Sequence, residues 1–237
     1  MTANDMFGKC SLPEFTGAAV CDSIGITIPS LDGELKKQMK IPPHIKAVGL
    51  IGSRTGAGAQ IKAVDDALKT SSAEIISIEI PRDTKGWGGH GNFIVFGGET
   101  PSDVRQCVKT ALDNINTYAG EIYISEAGHM ELQYSARAYT AINKAFGIPV
   151  GEPFGFVCAS PAPIGLAAAD AAVKAAGVEI VKTLRPSEGT SRSNEVIIIF
   201  TGEASAVKAA VAAGRHTALL LLRALGSEPL SVTEPYI

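Results

Sequence analysis

The feature that most constrains this chain is an internal repeat. The segment VDDALKTSSAEIISIEIP, which starts at Val64, matches AADAAVKAAGVEIVKTLRP at an offset of 105 residues, so that Asp65 aligns with Asp170 and Lys69 with Lys174. After a one-residue gap, NFIVFGGE in the first copy matches VIIIFTGE in the second. A duplicated order of elements predicts two domains of one fold rather than a single large domain.

Each copy has the pattern strand, helix, strand, loop, strand and helix. In the first copy, Ile61, Val64 and Leu68 share one helical face, and the alternating apolar residues of EIISIEI are typical of a strand. The elements predicted for the first copy are KAVGLIGS, a helix over 61–69, EIISIEI, NFIVFGG and a helix that opens at Thr100. Those of the second are GFVCA, a helix that ends at Lys174, EIVKTL, VIIIF and a helix from Ser205 to about Ala224.

A shorter segment precedes each core. We predict one strand in AVCDSIGITI followed by a helix in LDGELKKQM, and correspondingly one strand in EIYISEAG followed by a helix in ELQYSARAYTAINKAF. The predicted domains therefore span residues 17–119 and 120–237, with residues 1–16 as an N-terminal extension. No linker rich in serine or charge separates them, so we expect the two domains to pack tightly.

Composition and charge argue against several classes of partner. The formal net charge is −3, which gives no cation excess for binding nucleic acid. The longest apolar run, around Ala218–Leu222, is too short to span a bilayer, and the chain opens with no charged-then-apolar leader. We therefore expect a cytoplasmic protein. The four cysteines and four histidines have no metal-ligand spacing, so no metal and no cofactor are predicted.

Two motifs suggest enzyme chemistry, and neither supports it. The Gly-rich turn in VGLIGSRTGAGAQI lacks both G-x-G-x-x-G and a G-K-[ST] phosphate lysine. Glu126, His129 and Glu131 form an acid–base group in the sequence, but we expect His129 and Glu131 to point apart and to serve a surface or interface role. We therefore predict that the chain is not an enzyme and assign no catalytic residue.

The second copy contains, in order, DAAVKAAGVEIVKT, RPSEGTSRSN, EVIIIFTGE and ASAVKAAVAAG. This order of motifs resembles bacterial-microcompartment (BMC) shell proteins, in particular the tandem-domain family of propanediol- and ethanol-utilisation compartments. The likeness covers about Phe15 to Ile237, and GSRTGAGAQI, PRDTKGWGGHGN and SEAGHMELQYSARA also resemble that family. Because a strand–helix segment precedes each core, the circularly permuted version is the one resembled. This implies an α+β fold of two tandem permuted BMC domains, each an antiparallel sheet flanked by helices, and a homotrimer that forms a pseudohexamer.

The resemblance also implies site residues. The loops at 81–91 and 185–194 would face the symmetry axis and line a pore; otherwise they are ordinary exposed hairpin loops. Lys69 and Lys174 would pack tile against tile; otherwise they are solvated helix ends. The pore-lining candidates are Arg82, Asp83, Lys85, Trp87, Gly88, Gly89, His90, Glu188, Gly189, Thr190, Ser191 and Arg192.

The implied function is a structural shell tile that passes small polar metabolites such as polyols, alcohols or aldehydes. Its partners would be further copies of the chain, other shell proteins and, through the N-terminus, encapsulated enzymes. Some tandem shell proteins are thought to hold an iron–sulfur cluster through a pore-loop cysteine, but neither loop here contains cysteine. The alternative is a small-molecule binding or sensing protein built from duplicated domains without shell assembly.

Overall fold

The computed structural model describes residues 13–83, 85, 87, 89–188 and 193–237. The first unit contains β1 (Glu14–Ala19), β2 (Ser23–Ile28), α1 (Gly33–Gln38), β3 (Ala47–Ser53), α2 (Gly58–Leu68), β4 (Glu74–Glu79), β5 (Asn92–Gly98) and α3 (Pro101–Tyr118). The second contains β6 (Ile122–Ser125), β7 (Gly128–Ser135), α4 (Thr140–Phe146), β8 (Phe154–Ser160), α5 (Ala162–Ala175), β9 (Val178–Leu184), β10 (Val196–Gly202), α6 (Ala204–Ala224) and β11 (Leu230–Ser231). Within the described ranges, no helix is long and apolar enough to cross a membrane.

The strands form two antiparallel sheets with the same internal order. The first sheet is β1-β2-β3-β5-β4, and the second is β11-β6-β7-β8-β10-β9. With β11 set aside, each strand of the second sheet takes the place of its counterpart in the first, and helices follow the same strands in both. The predicted α+β fold of two duplicated antiparallel units is therefore confirmed.

The segments before each core differ from the prediction. AVCDSIGITI does not form one strand: it contains the end of β1, a turn and β2, and Cys21 and Asp22 hold positive φ angles in that turn. The helix predicted from Glu131 is wrong at its start, because residues 131–135 belong to β7 and α4 begins only at Thr140. The segment HMELQYS alternates polar and apolar residues, which is the pattern of a strand that the helix prediction overlooked, and its polar members Glu131 and Gln133 are fully buried.

The second sheet is covered on both faces. Val157 and Phe200 point into a core formed with α5 and α6 of the same unit. Phe156 and Ile199 point the other way, into a core that they share with Ile61 of α2. Strands covered on both sides read as continuous apolar runs, as FGFVCA and VIIIF do. Helix α2 thus packs against α3 of its own unit and against β7 and α4 of the second unit.

A buried carboxylate fastens this junction. Asp65 of α2 is fully buried and accepts the backbone N–H groups of Tyr139 and Ile142 at 2.9–3.0 Å, so it caps the N-terminus of α4. Burial raises the pKa of Asp65, opposed by these N–H groups and by Lys69, whose ammonium lies 3.1 Å away. The predicted boundary at residues 119 and 120 falls in the 3₁₀ turn Ala119–Glu121, while β1 begins inside the predicted extension.

A glycine faces a phenylalanine across paired central strands in both units. Gly49 of β3 pairs with Phe96 of β5, and Gly155 of β8 pairs with Phe200 of β10. A Cβ at Gly49 would lie 2.4 Å from the Phe96 ring, and one at Gly155 would lie 2.2 Å from the Phe200 ring. The ring occupies the space that a side chain would need, so each glycine is required for core packing.

We predict that Gly49→Ala and Gly155→Ala each lower the free energy of unfolding by about 1–3 kcal/mol, because the added methyl group overpacks the core. Urea denaturation followed by circular dichroism measures the change. Gly177→Ala is the matched control, since nothing lies within 4 Å of its Cβ position; a shift under about 0.5 kcal/mol is expected there. Equal stabilities for all three variants would contradict this account of the core.

Candidate functional site

The first candidate loop, between β4 and β5, is tied back onto its own unit. Arg82 forms an isolated antiparallel bridge with His90. The Asp83 carboxylate accepts two hydrogen bonds from the Arg54 guanidinium, at 2.8 and 2.9 Å, and the Asp83 N–H donates to the carbonyl of Gly89. The base of this loop is therefore held by paired backbone and a bidentate ion pair.

The tip of the loop reaches two different elements. The Lys85 ammonium lies 2.7 Å from the Asp22 carboxylate in the β1–β2 turn, and both side chains are about half exposed. The Trp87 ring lies 5.0 Å from the ring of His129, which belongs to β7 of the second unit. The first loop therefore spans the junction between the units.

The second candidate loop, between β9 and β10, is described only in part. Arg185 and Glu188 form an exposed ion pair at its start. At its end, Ser193 lies against Gly89 of the first loop, where a Cβ would come within 2.8 Å of the Ser193 Cβ. Gly88, Gly189, Thr190, Ser191 and Arg192 lie outside the described residues.

A buried polar cluster lies where the two loops meet. One oxygen of Glu195 is 3.0 Å from Nδ1 of His90 and also accepts the Ser193 hydroxyl. The other oxygen is 3.2 Å from Nε2 of His129 and 3.3 Å from the sulfur of Cys158. An ionised carboxylate only accepts hydrogen bonds, so the Ser193 hydroxyl, the His129 imidazole and the Cys158 thiol are donors to Glu195. The two histidines, Glu195 and Cys158 are at least 98% buried.

Three neighbouring strands of the second sheet bring the cluster together. His129 lies on β7 opposite Ser160 of β8, Cys158 lies on β8 itself, and Glu195 immediately precedes β10. Alternate residues of a strand share a face, so Cys158 and Ser160 point to the side on which β7 presents His129. That side is the one packed against the first unit, which contributes His90 from its loop.

Burial and neighbouring charges act differently on the acids of the cluster. Desolvation alone would raise the pKa of Glu195, but hydrogen bonds from His129 and His90 hold it well below its usual range. Burial raises the pKa of Glu131, and burial with the Glu195 and Glu131 charges raises the pKa of the Cys158 thiol. Glu195 is therefore the stable anion of the cluster, paired with imidazoles from both units.

The glycines of the Gly-rich turn provide room for this cluster. Glu131 accepts the Ala59 N–H at 3.0 Å, and a Cβ on Gly58 would lie 2.9 Å from that same carboxylate oxygen. Gly56 holds φ at +73°, and its Cβ would lie 2.7 Å from the Trp87 ring. The turn that resembles a nucleotide-binding loop thus admits a buried carboxylate and a tryptophan from other segments.

The expectation that His129 and Glu131 point apart is wrong. His129 and Glu131 are buried, and both side chains face the first unit, whereas Glu126 is exposed. Residues i and i+2 of a strand lie on the same side, so strand geometry itself brings these two side chains together on β7. Cys158 and Glu195 were not singled out from the sequence, because their partners lie on strands distant in the chain.

The matching lysines have different surroundings. Lys69 lies at the junction with its ammonium 2.6 Å from Asp66, and its side chain is 26% exposed. Lys174 pairs with Asp170 at 2.7 Å, and its side chain is 72% exposed. The duplicated position therefore faces the second unit in the first copy and solvent in the second.

Comparison with known proteins agrees with this architecture. The BMC domain family matches residues 47–127 and 154–226. The bacterial microcompartment shell protein PduB of Citrobacter freundii is 44% identical over 229 residues, which cover 97% of this chain and 85% of that protein. A crystal structure of trimeric PduB has a TM-score of 0.91 at 44% identity and covers 95% of this chain and 100% of its own. EtuB from Clostridium kluyveri has a TM-score of 0.92 at 40% identity, with 94% and 98% covered.

The matched segments also locate the permutation. Both matches begin at a central strand, β3 or β8. The two strands of each sheet that precede its match, and the short helix after them, therefore lie on the N-terminal side of the matched segment. The first match runs on through β6, which pairs in the second sheet rather than in its own. With two family matches over most of its length and a relative at 44% identity across nearly the whole chain, this protein belongs to the BMC-domain family as a tandem, circularly permuted member.

Proposed function

We propose that this chain is a structural shell subunit that assembles as a homotrimer into a flat tile of a cytoplasmic bacterial microcompartment. The proposal rests on one observation: the helix face that joins the two units within the chain is repeated, uncovered, at the far side of the second unit. The named relatives are shell proteins, which favours this role over a duplicated small-molecule sensor. No residue is assigned a catalytic role.

The uncovered face lies on α5, the counterpart of α2. Ile61 of α2 is fully buried at the junction, while its counterpart Leu166 on α5 is 62% exposed. Likewise Asp65 is buried and caps α4, whereas its counterpart Asp170 is exposed. Because the two helices share one sequence pattern, α5 presents the surface that α2 uses to bind a sheet and a short helix.

The complementary surface lies on the first unit. In the junction, α2 packs against α4, where Ile142 and Phe146 are 0% and 4% exposed. The matching positions, counted back from the shared Ile-Pro turn, are Leu35 in α1 and Met39 just after it, which are 52% and 38% exposed. The first unit thus offers an uncovered copy of the site that α2 fills in the second.

These two faces predict a head-to-tail contact between chains. A heterologous contact either closes a ring or continues as a filament. The solved PduB is trimeric, and at 44% identity it favours closure after three chains, which places six units around one axis. The domains at 17–119 and 120–237 would then alternate around the ring.

The two loops are the proposed lining of a pore at that axis, as passages for small polar metabolites such as polyols, alcohols or aldehydes. Lys85 and Glu188 offer exposed charge near the loop tips. In contrast, Trp87 and His90 pack against the second unit, so within the pore we assign them to holding the loop in place. Gly88 and residues 189–192 complete the proposed lining.

Lys174 is the proposed contact between neighbouring tiles and with other shell proteins, whereas Lys69, which faces the second unit, is assigned to the junction. Exposed ion pairs contribute only about 0–1 kcal/mol each, so these contacts matter through repetition over a lattice. Contact between residues 1–16 and encapsulated enzymes remains a hypothesis, which falls mainly outside the described residues.

We predict that Leu166→Asp converts the trimer to a monomer, because a carboxylate would be desolvated in the contact with α1 of the next chain. Size-exclusion chromatography with light scattering measures the mass. Leu225→Asp is the matched control, since Leu225 is 56% exposed and lies outside this face; it should remain trimeric. A Leu166→Asp trimer as stable as the wild type would overturn the proposed interface.

We predict that Lys85→Cys in the assembled protein yields covalently linked dimers and trimers with a short bismaleimide, because three copies of the loop would surround one axis. Denaturing gel electrophoresis counts the linked chains. Lys109→Cys, exposed on α3, and the wild type with its native cysteines are the controls and should stay single chains. A Lys85→Cys sample that reacts fully with maleimide but remains unlinked would place the loops away from the axis.

We predict that Lys174→Ala reduces extended two-dimensional sheets in negative-stain electron microscopy while the trimer persists in solution, because each tile edge loses a repeated contact. Lys109→Ala serves as the control of equal charge change. Sheets of unchanged extent for Lys174→Ala would remove this residue from the tile edge.

A further inference from the structure

We propose that His129, Cys158 and Glu195 form a binding site for Zn²⁺ or a transition-metal cation of similar ligand preference, buried at the junction of the two units. Each residue offers one donor atom, and the three atoms lie within 4.8 Å of one another. The site is independent of the proposed shell function, since one chain supplies all three ligands.

The separations suit a tetrahedral metal. Nε2 of His129 lies 3.2 Å from the Glu195 oxygen, and the sulfur of Cys158 lies 3.3 Å from the same oxygen. Zinc bonds of about 2.0–2.3 Å place neighbouring ligand atoms of a tetrahedron roughly 3.3–3.8 Å apart. Small side-chain movements would therefore admit a cation in place of the His129 and Cys158 protons that now point at the Glu195 oxygen.

The donor types narrow the class of metal. Imidazole nitrogen, thiolate sulfur and carboxylate oxygen together are typical of zinc and of Co²⁺, which takes the same geometry. Magnesium and calcium prefer sites made only of oxygen ligands. The presence of Cys158 therefore argues for a softer divalent cation.

Charge balance in the buried site also favours a divalent cation. Neutral His129 with thiolate Cys158 and carboxylate Glu195 carries two negative charges, which a divalent cation neutralises. A neutral assembly avoids the cost of burying a net charge. Burial raises the pKa of the Cys158 thiol in the metal-free protein, whereas a bound cation would keep the sulfur as a thiolate.

The surroundings provide an outer shell and a further buried acceptor. The second oxygen of Glu195 is 3.0 Å from His90, a residue of the first unit, and this contact orients the carboxylate. Glu131 lies directly opposite Cys158 on β7, and its Oε2 is fully buried with no hydrogen-bond partner among the described residues. A buried acceptor without a partner beside Cys158 is explained by a cation that carries a water ligand at this site, and a water molecule keeps the assembly neutral. Metal binding would then strengthen the contact between the first loop and the second unit.

The test is titration of the full-length, metal-stripped protein with Co²⁺, followed by displacement with Zn²⁺. We expect one Co²⁺ per chain, with a near-ultraviolet thiolate-to-cobalt charge-transfer band and visible bands of tetrahedral intensity, both lost when Zn²⁺ is added. The charge-transfer band reports a cysteine ligand in the wild type itself, so this readout does not depend on whether a variant folds.

Variants then assign the ligands. Cys158→Ser should abolish the charge-transfer band, while Cys107→Ser, at a buried cysteine of α3, should retain it. His90→Ala should weaken Co²⁺ binding by about 10–100-fold through the carboxylate it orients, and His44→Ala, at an exposed histidine, should leave binding unchanged. Absence of Co²⁺ binding, binding without a thiolate band, or a band that survives in folded Cys158→Ser would overturn the proposal.

Discussion

The packing of α2 of the first unit against β7 and α4 of the second is the contact on which the rest of this structure depends. It turns two similar units into one body, because α2 and α4 together cover the apolar face of the second sheet that lies opposite α5 and α6. Asp65 fixes the orientation of this apolar contact, because its carboxylate accepts hydrogen bonds from the N–H groups at the start of α4. A carboxylate buried without those donors would carry a large desolvation cost, so the correct docking geometry is strongly favoured over others.

The same contact explains how the copies differ. At equivalent positions of the two copies, one residue is buried in the junction and the other is exposed on the surface, as Ile61 and Leu166 illustrate. An exposed apolar residue indicates an interface when its counterpart in the other copy is buried in the junction. The surface that covers the buried counterpart then shows what kind of surface would cover the exposed one. Assembly by repetition of an internal interface follows from this asymmetry.

Function-bearing groups collect at the junction because both units contribute to it. The first loop supplies Trp87 and His90, and the second unit supplies His129, Cys158 and Glu195. Gly56 and Gly58 make this convergence possible, since any side chain there would occupy the space of Trp87 and Glu131. Because His90 of the first loop contacts Glu195, the position of that loop depends on whether the buried side chains of the cluster hold protons or a cation.

The sequence by itself determined the duplication, the order of elements in each core and the family, because these depend on local periodicity and on motifs of contiguous residues. The helix predicted over residues 131–135 was wrong, although HMELQYS alternates polar and apolar residues as a strand does. The burial of His129 and Glu131 does not follow from that alternation, which by itself would leave the polar residues facing solvent. Only the tertiary structure decided which of two equivalent faces is covered, and only it brought His90, His129, Cys158 and Glu195 together. Those four residues come from segments far apart in the chain, and their meeting depends on strand order and on the docking of one unit against the other, which local sequence does not encode.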